Sequence, residues 1–305
     1  MTKKTTMIIA GLAVIALSLA GPAFPGTIPS SIVPEGARWI AHLDMEKFVA
    51  TQFYGHLDKS GTFEMKSRDI ERWLKIDVPK DVKSLTVFGL GPDDEQIVIA
   101  ISGKFDKAGL IAQVEKEADH TKTAYGAYTI YTMDGNDHGA FINDSLIVFS
   151  EGRGAIEKVL DTAGGKAKNF SGTPLSASLK GVPSTAFLSG VMPELSRLSD
   201  LNSQSKVLEK ASGLFFLAQE KTDQLLLRLQ VTADSPESAK NMVDVVNGLI
   251  AMGRLGGNDE DMAKLASLLD GLQVKLEGKV VTLDFERPSK EIADLISEKR
   301  GFHLD

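Results

Sequence analysis

Two short stretches of this chain hold residue types that could do chemistry. The first is RWIAHLD (38–44), where His42 and Asp44 stand two apart. On a strand that spacing puts both side chains on one face, as an acid–base pair or half of a metal site. The plainer reading is a solvent-facing histidine beside an aspartate that caps the next helix. The second stretch is Asp134-Gly135-Asn136-Asp137-His138, with oxygen-bearing side chains at alternate positions as in a cation loop. It lacks the glutamate and the spacing of an EF-hand loop, and a Gly/Asn/Asp hairpin turn accounts for every residue. Asn258-Asp259-Glu260-Asp261 reads more simply as negative charge at a helix N-terminus. His42, His56, His120, His138 and His303 show no ligand spacing. There is no nucleophile elbow, phosphate loop, zinc-protease helix or dinucleotide fingerprint. Gly89-Leu90-Gly91 runs into Pro92 and does not cradle phosphate. The sequence therefore assigns no catalytic residue, no metal ligand and no cofactor, although a site assembled from distant residues would leave no motif.

Composition narrows the classes. Among 305 residues there is no cysteine, which removes disulfides, thiolate metal sites and cysteine nucleophiles together. The formal net charge is −7, and no long basic run offers nucleic acid or anionic lipid an electrostatic footprint. At the N-terminus Lys3 and Lys4 precede an apolar run, Met7–Leu19, that is short for a bilayer span. Small residues at Ser18 and Ala20, or Gly21 and Ala23, suit a signal peptidase. We expect a signal peptide over 1–23, cleaved after Ala20 or Ala23, with a retained anchor as the alternative. N-terminal sequencing of exported protein that still began at Met1 would establish the anchor.

The elements behind the signal repeat. A Pro-rich lead (24–37) reaches a first α+β module (38–163), a solvated linker (164–183) joins it to a second (184–300), and a short tail (301–305) follows. LTVFGLGPDDEQIVIAISGKFD (85–106) aligns without a gap on GLFFLAQEKTDQLLLRLQVTAD (213–234), with Gln96 on Gln224 and the helix-leading Asp106 on Asp234. Each module reads as β-α-β-β-α-β-β-α. The strands are 38–44, 84–90, 96–102, 127–133 and 140–150 in the first copy. In the second, Leu225, Leu227, Leu229 and Val231 alternate with Arg228, Gln230 and Thr232, the pattern of a sheet with one face in water. Trp73, Leu74 and Ile76 suggest a helical lid, and Gly253–Gly271 is an insertion of the second copy. The expected fold is α+β: two tandem ferredoxin-like variants with mainly antiparallel sheets, helices on one face, and the modules abutting edge to edge.

The phrases IVPEGARWIAHLDMEKF (32–48) and SLIVFSEGRGAIEKVLD (145–161) resemble those of exported bacterial proteins of unknown function with duplicated α+β modules. The resemblance implies an extracytoplasmic bacterial protein and carries over no functional residue. The expected function is a secreted or periplasmic, non-enzymatic scaffold that binds an envelope or extracellular protein. It would bind no nucleic acid and keep no membrane span once the signal is removed. Alternatives are a carrier or sensor of a small or lipid-like ligand, lined by helices 239–250 and 260–272 between the modules, and a hydrolase with a dispersed site.

Overall fold

The continuous apolar run Ile97–Ile101 leaves no polar face for water, so its strand must be covered on both sides. The computed structural model, which describes residues 28–62, 71, 76–91, 96–193, 210–255 and 271–298, places that strand inside a 12-stranded sheet. The first half supplies β1 (Trp39–Asp44), β2 (Val82–Gly89), β3 (Ile97–Gly103), β4 (Thr121–Tyr125), β5 (Tyr128–Met133), β6 (Asp137–Asn143) and β7 (Leu146–Ser150). The second half supplies β8 (Ala186–Met192), β9 (Ala211–Lys221), β10 (Gln224–Ala233), β11 (Leu272–Glu277) and β12 (Val280–Pro288). The order is β11-β12-β10-β9-β8-β1-β2-β3-β7-β6-β5-β4. Every neighbouring pair is antiparallel, including β1 with β8, so the two halves meet edge to edge in one sheet. The fold is thus α+β on a large antiparallel sheet. Its neighbour relations depart from a split βαβ unit, in which a third strand separates the first two: here β1 pairs directly with β2.

Helices lie on both faces, not one. On β3, Ile99 and Ile101 belong to a core cluster with Leu43, Phe48, Phe187, Leu225 and Ile292. Val98 and Ala100, between them, belong to another with Ile40, Phe88, Ile156, Val159 and Leu160. The first cluster is roofed by α1 (Met45–Val49), α2 (Gln52–Lys59), α4 (Lys107–Val114) and α8 (Ser289–Glu298), the second by α5 (Arg153–Ala163) and α6 (Pro174–Ser178). Two further helices, α3 (Val78–Asp81) and α7 (Pro236–Leu255), complete the described set. The first cluster takes residues from both halves, so neither half closes that core alone.

Local chemistry explains where elements begin. Asp44 accepts from the Lys47 N–H at 3.0 Å and starts α1, but the helix stops at Ala50. Thr51 then caps a separate α2 through the Tyr54 N–H at 3.0 Å, dividing what the spacing of Met45, Phe48, Val49 and Phe53 suggests is one helix. Residues 140–150 form two strands because Asn143 turns the chain, its Oδ1 accepting from the Ser145 N–H at 2.9 Å. The linker is not simply solvated. Phe170 and Leu175 are buried with Ile32 and Val33 of the lead, and Phe170 N–H donates to the Val33 carbonyl at 2.9 Å.

Leu227 packs in the cluster of the C-terminal helix α8. Val231 and Leu283, not Leu227 and Leu229, join Val243 and Met242 of α7. The gap-free match between hairpins also needs revision. β9 runs on to Lys221, and only Thr222 and Asp223 turn it into β10. Both turn residues have positive φ, 50° and 62°, as a type I′ turn requires; for a β-branched threonine this is strained. Replacing Thr222-Asp223 by Asn-Gly should stabilise the protein by about 1 kcal/mol, read as a rise in thermal midpoint. An unchanged or lower midpoint would show that the turn is not strained.

The expected signal segment, Trp73 and Leu74, residues 92–95, Asn258–Asp261 with the helix expected over 260–272 as far as residue 270, and His303 lie outside the described residues; Leu272, placed at the end of that helix, instead begins β11.

Candidate functional site

The two polar residues of RWIAHLD sit near the junction of the halves. His42 lies on β1 between Thr86 of β2 and Ser189 of β8, its register partners on either side. Antiparallel partners share a face, so the three form a polar row across three strands. All are sealed from water: 1 % exposure for His42 and none for Thr86 or Ser189. His42 Nδ1 and Thr86 Oγ1 are hydrogen-bonded at 2.7 Å. Ser189 Oγ is buried and has no hydrogen-bond partner among the described residues. Burial pushes the His42 pKa down to about 4, against the field of Asp44 and with that of Lys47. The imidazole is therefore neutral at physiological pH, and the burial that keeps it neutral also makes it a weak proton acceptor. Asp44, on the same face by spacing, is committed to capping α1 and pairing with Lys47 at 3.0 Å. A serine beside a histidine has the components of a hydrolase pair, but a substrate would have to enter the interior of a hydrogen-bonded sheet to reach it.

The other histidine stretch behaves as a turn. Asp134 and Gly135 take positive φ between β5 and β6. His138 is buried at the start of β6, its Nδ1 hydrogen-bonded to Thr132 Oγ1 at 2.9 Å. Burial, then the nearby Arg153, lowers its pKa. Among the described residues no three His, Asp or Glu side chains gather as a metal site. His56 lies in α2, and His120 bonds the Glu117 carbonyl at 2.7 Å.

Three features escape sequence reading because they join distant residues. The Glu220 carboxylate, at the end of β9, accepts from the N–H groups of Gln52 at 2.7 Å and Phe53 at 2.9 Å and from the Ser289 hydroxyl. It thereby occupies the N-terminus of α2 and ties it to the start of α8, where an anion is favoured by unpaired N–H groups. On β10, Arg228 meets Asp284 in a two-pronged pair at 2.6 and 2.9 Å, and Lys275 adds a third bond at 3.1 Å. Burial raises the Asp284 pKa, but the Arg228 and Lys275 hydrogen bonds outweigh it and hold the carboxyl below its usual range. Arg228 does face away from Leu227 and Leu229, but not into free water. Arg228→Ala should cost about 1–3 kcal/mol, since it strips a buried carboxylate of its best partner. Lys275→Ala, at an exposed ammonium, should cost under about 1 kcal/mol. Equal losses in denaturant melts would count against that ranking. The third feature is an apolar cleft beneath α4, lined by Leu110, Ile111, Val114, Tyr131, Phe141 and Phe149. It spans about 470 Å³ including its open mouth. It lies within the first half, not between the halves.

Neither a family model nor a curated protein matches this chain. Solved structures do. Crystal form III of the bacterial protein TP0453 superposes with a TM-score of 0.51 at 10 % identity, over 90 % of this chain and 99 % of that one. Its crystal form IV gives 0.49 at 10 % identity, over 90 % and 100 %; crystal form I gives 0.48 at 11 %, over 90 % and 98 %. At this identity the likeness is one of fold. In crystal form III it extends over nearly all of both chains. Among the described residues no helix is long and apolar enough to cross a membrane.

Proposed function

We propose that the protein is an exported, non-enzymatic binding protein, built from a duplicated module and acting through its surfaces on an envelope or extracellular partner. One observation carries the non-enzymatic reading: the residues best equipped for chemistry, His42, Ser189 and Thr86, are closed inside the sheet. The Lys3-Lys4 and Met7–Leu19 pattern supports export to a secreted or periplasmic location. The acidic, cysteine-free composition fits a protein partner better than nucleic acid.

Strand registers support the duplication. Lay β1 on β8 with His42 over Ser189, and β2, β3, β7 and β6 on β9, β10, β12 and β11. The pair His42–Thr86 then falls on Ser189–Leu217, and Leu85–Ile101 on Phe216–Leu229. Ile99–Phe149 falls on Leu227–Phe285, and Gly139–Phe149 on Leu272–Phe285. The β4–β5 hairpin is then an addition to the first copy, and His42 and Ser189 are equivalent positions facing each other across a pseudo-dyad.

A panel of ester substrates tests the reading. The protein should show no turnover that is lost in Ser189→Ala while the fold is kept; turnover lost in both Ser189→Ala and His42→Gln would replace it with the hydrolase. The carrier reading rests on the cleft beneath α4, and an apolar metabolite retained there in native mass spectrometry, and expelled by Val114→Trp, would favour it.

A further inference from the structure

The large hydrophobic side chains exposed among the described residues are Val245 at 44 %, Met252 at 63 % and Leu276 at 41 %. All three lie at one end of the sheet. Leu276 is on β11, the outermost strand, and Val245 and Met252 are on α7, the helix that packs against β11. The other outermost strand, β4, shows no such residue; its Lys122 instead pairs with Glu115. Among the described residues no strand pairs with the outer edge of β11, and such an edge beside exposed apolar side chains is what a sheet offers to another strand.

We infer that the β11 edge is a self-association surface, occupied by β11 of a second copy in an antiparallel, two-fold pairing. The residues of β11 select that occupant. With the dyad at Val274, Leu272 faces Leu276 of the second copy, Gln273 faces Lys275, Val274 faces itself, and no like charges meet. Placing the dyad on Lys275 sets ammonium against ammonium, which cross-strand pairing disfavours. Placing it between Val274 and Lys275 turns the apolar face of one copy to the polar face of the other, since a one-residue slip exchanges faces. Of these three registers only the one at Val274 both joins the apolar faces and keeps like charges apart; it also keeps both α7 helices on one side of the joined sheet and closes at two copies, as an isologous contact must. It deepens the surface-binding reading above and is separable from it, because an envelope partner could engage any other surface.

The test uses exported protein. Sedimentation velocity should show a reversible dimer, and Leu276→Lys with Met252→Lys should weaken it by about tenfold or more at an unchanged melting temperature. The chain has no cysteine, so Val274→Cys gives a clean second readout. Two such residues facing across the dyad come near disulfide distance, and mild oxidation should link them, while Lys122→Cys on the opposite edge stays unlinked. A monomer at every concentration, a dimer indifferent to the lysine substitutions, or a dimer linked through Lys122→Cys would overturn the inference. The binding reading itself would fall only to the turnover result described above.

Discussion

Acid should destabilise this protein by about 3 kcal/mol through a single side chain, His42. Folded, its pKa is about 4 because burial penalises the imidazolium; unfolded, it returns to about 6.5. Between those values the unfolded chain holds a proton that the native chain does not, so stability falls as pH drops. The contribution is complete above about pH 6.5, declines through the window, and levels off below about pH 4, where both states are protonated. A difference of that size in pKa corresponds to roughly 3 kcal/mol. Urea melts between pH 4 and 8 on wild type and His42→Gln isolate the effect, because other titrating groups are common to both. The variant should lose the histidine-dependent slope and keep the rest. Parallel curves would show that His42 takes up its proton at the same pH folded as unfolded and that the buried row is wetter than its geometry suggests. The location of the histidine gives the measurement meaning. His42 pairs across the four-residue contact Ile40–Leu43 with Leu188–Val191, so charging it strains the place where the halves join.

Much of the architecture is legible from spacing. The hairpins, the Asp106 cap of α4 at 2.9 Å from the Gly109 N–H, the buried stripe Ile156, Val159 and Leu160 and the closing helix over Ser289–Glu298 follow from local rules. The misreadings have physical causes. Thr121–Tyr125 is an outermost strand with little buried surface, so TKTAY carries no apolar alternation to mark it. Asn143-Asp144-Ser145 turns the chain inside what reads as one apolar strand. The run IVIAI (97–101) already indicates burial on both faces, whereas the alternation of 225–232 suggests a sheet open on one. The row His42–Ser189 could not be read at all. The two residues are far apart in sequence, and only the antiparallel junction of β1 with β8 makes them neighbours. The same is true of Glu220, whose carboxylate caps a helix begun more than half the chain earlier. Site geometry here depends on strand order, which periodicity does not specify.

Phe48→Ala should be among the most damaging single substitutions, at about 3–5 kcal/mol, and should weaken both halves together. Phe48 is fully buried on α1, a helix of five residues too short to persist without packing. Its ring meets Phe53 at 6.2 Å and Tyr54 at 5.4 Å edge-on, and Phe187 of the second half at 5.4 Å. Removing it forfeits the transfer energy of the ring and leaves a cavity that the anchored elements around it cannot collapse to fill. Because that cluster runs from Leu43 to Ile292, the loss falls on a core that both halves need. Denaturation followed by far-ultraviolet circular dichroism and by hydrogen exchange should show one transition in wild type and one, displaced, in the variant. Amides of β9 and β10 should lose protection along with those of β2 and β3. Two transitions, with only the first-half amides affected, would mean that the halves fold as independent units and that β1 and β8 merely touch. A single transition would mean that a half sufficient by sequence pattern is not sufficient by packing, since it completes its core only by borrowing Phe187 and its neighbours from the other half.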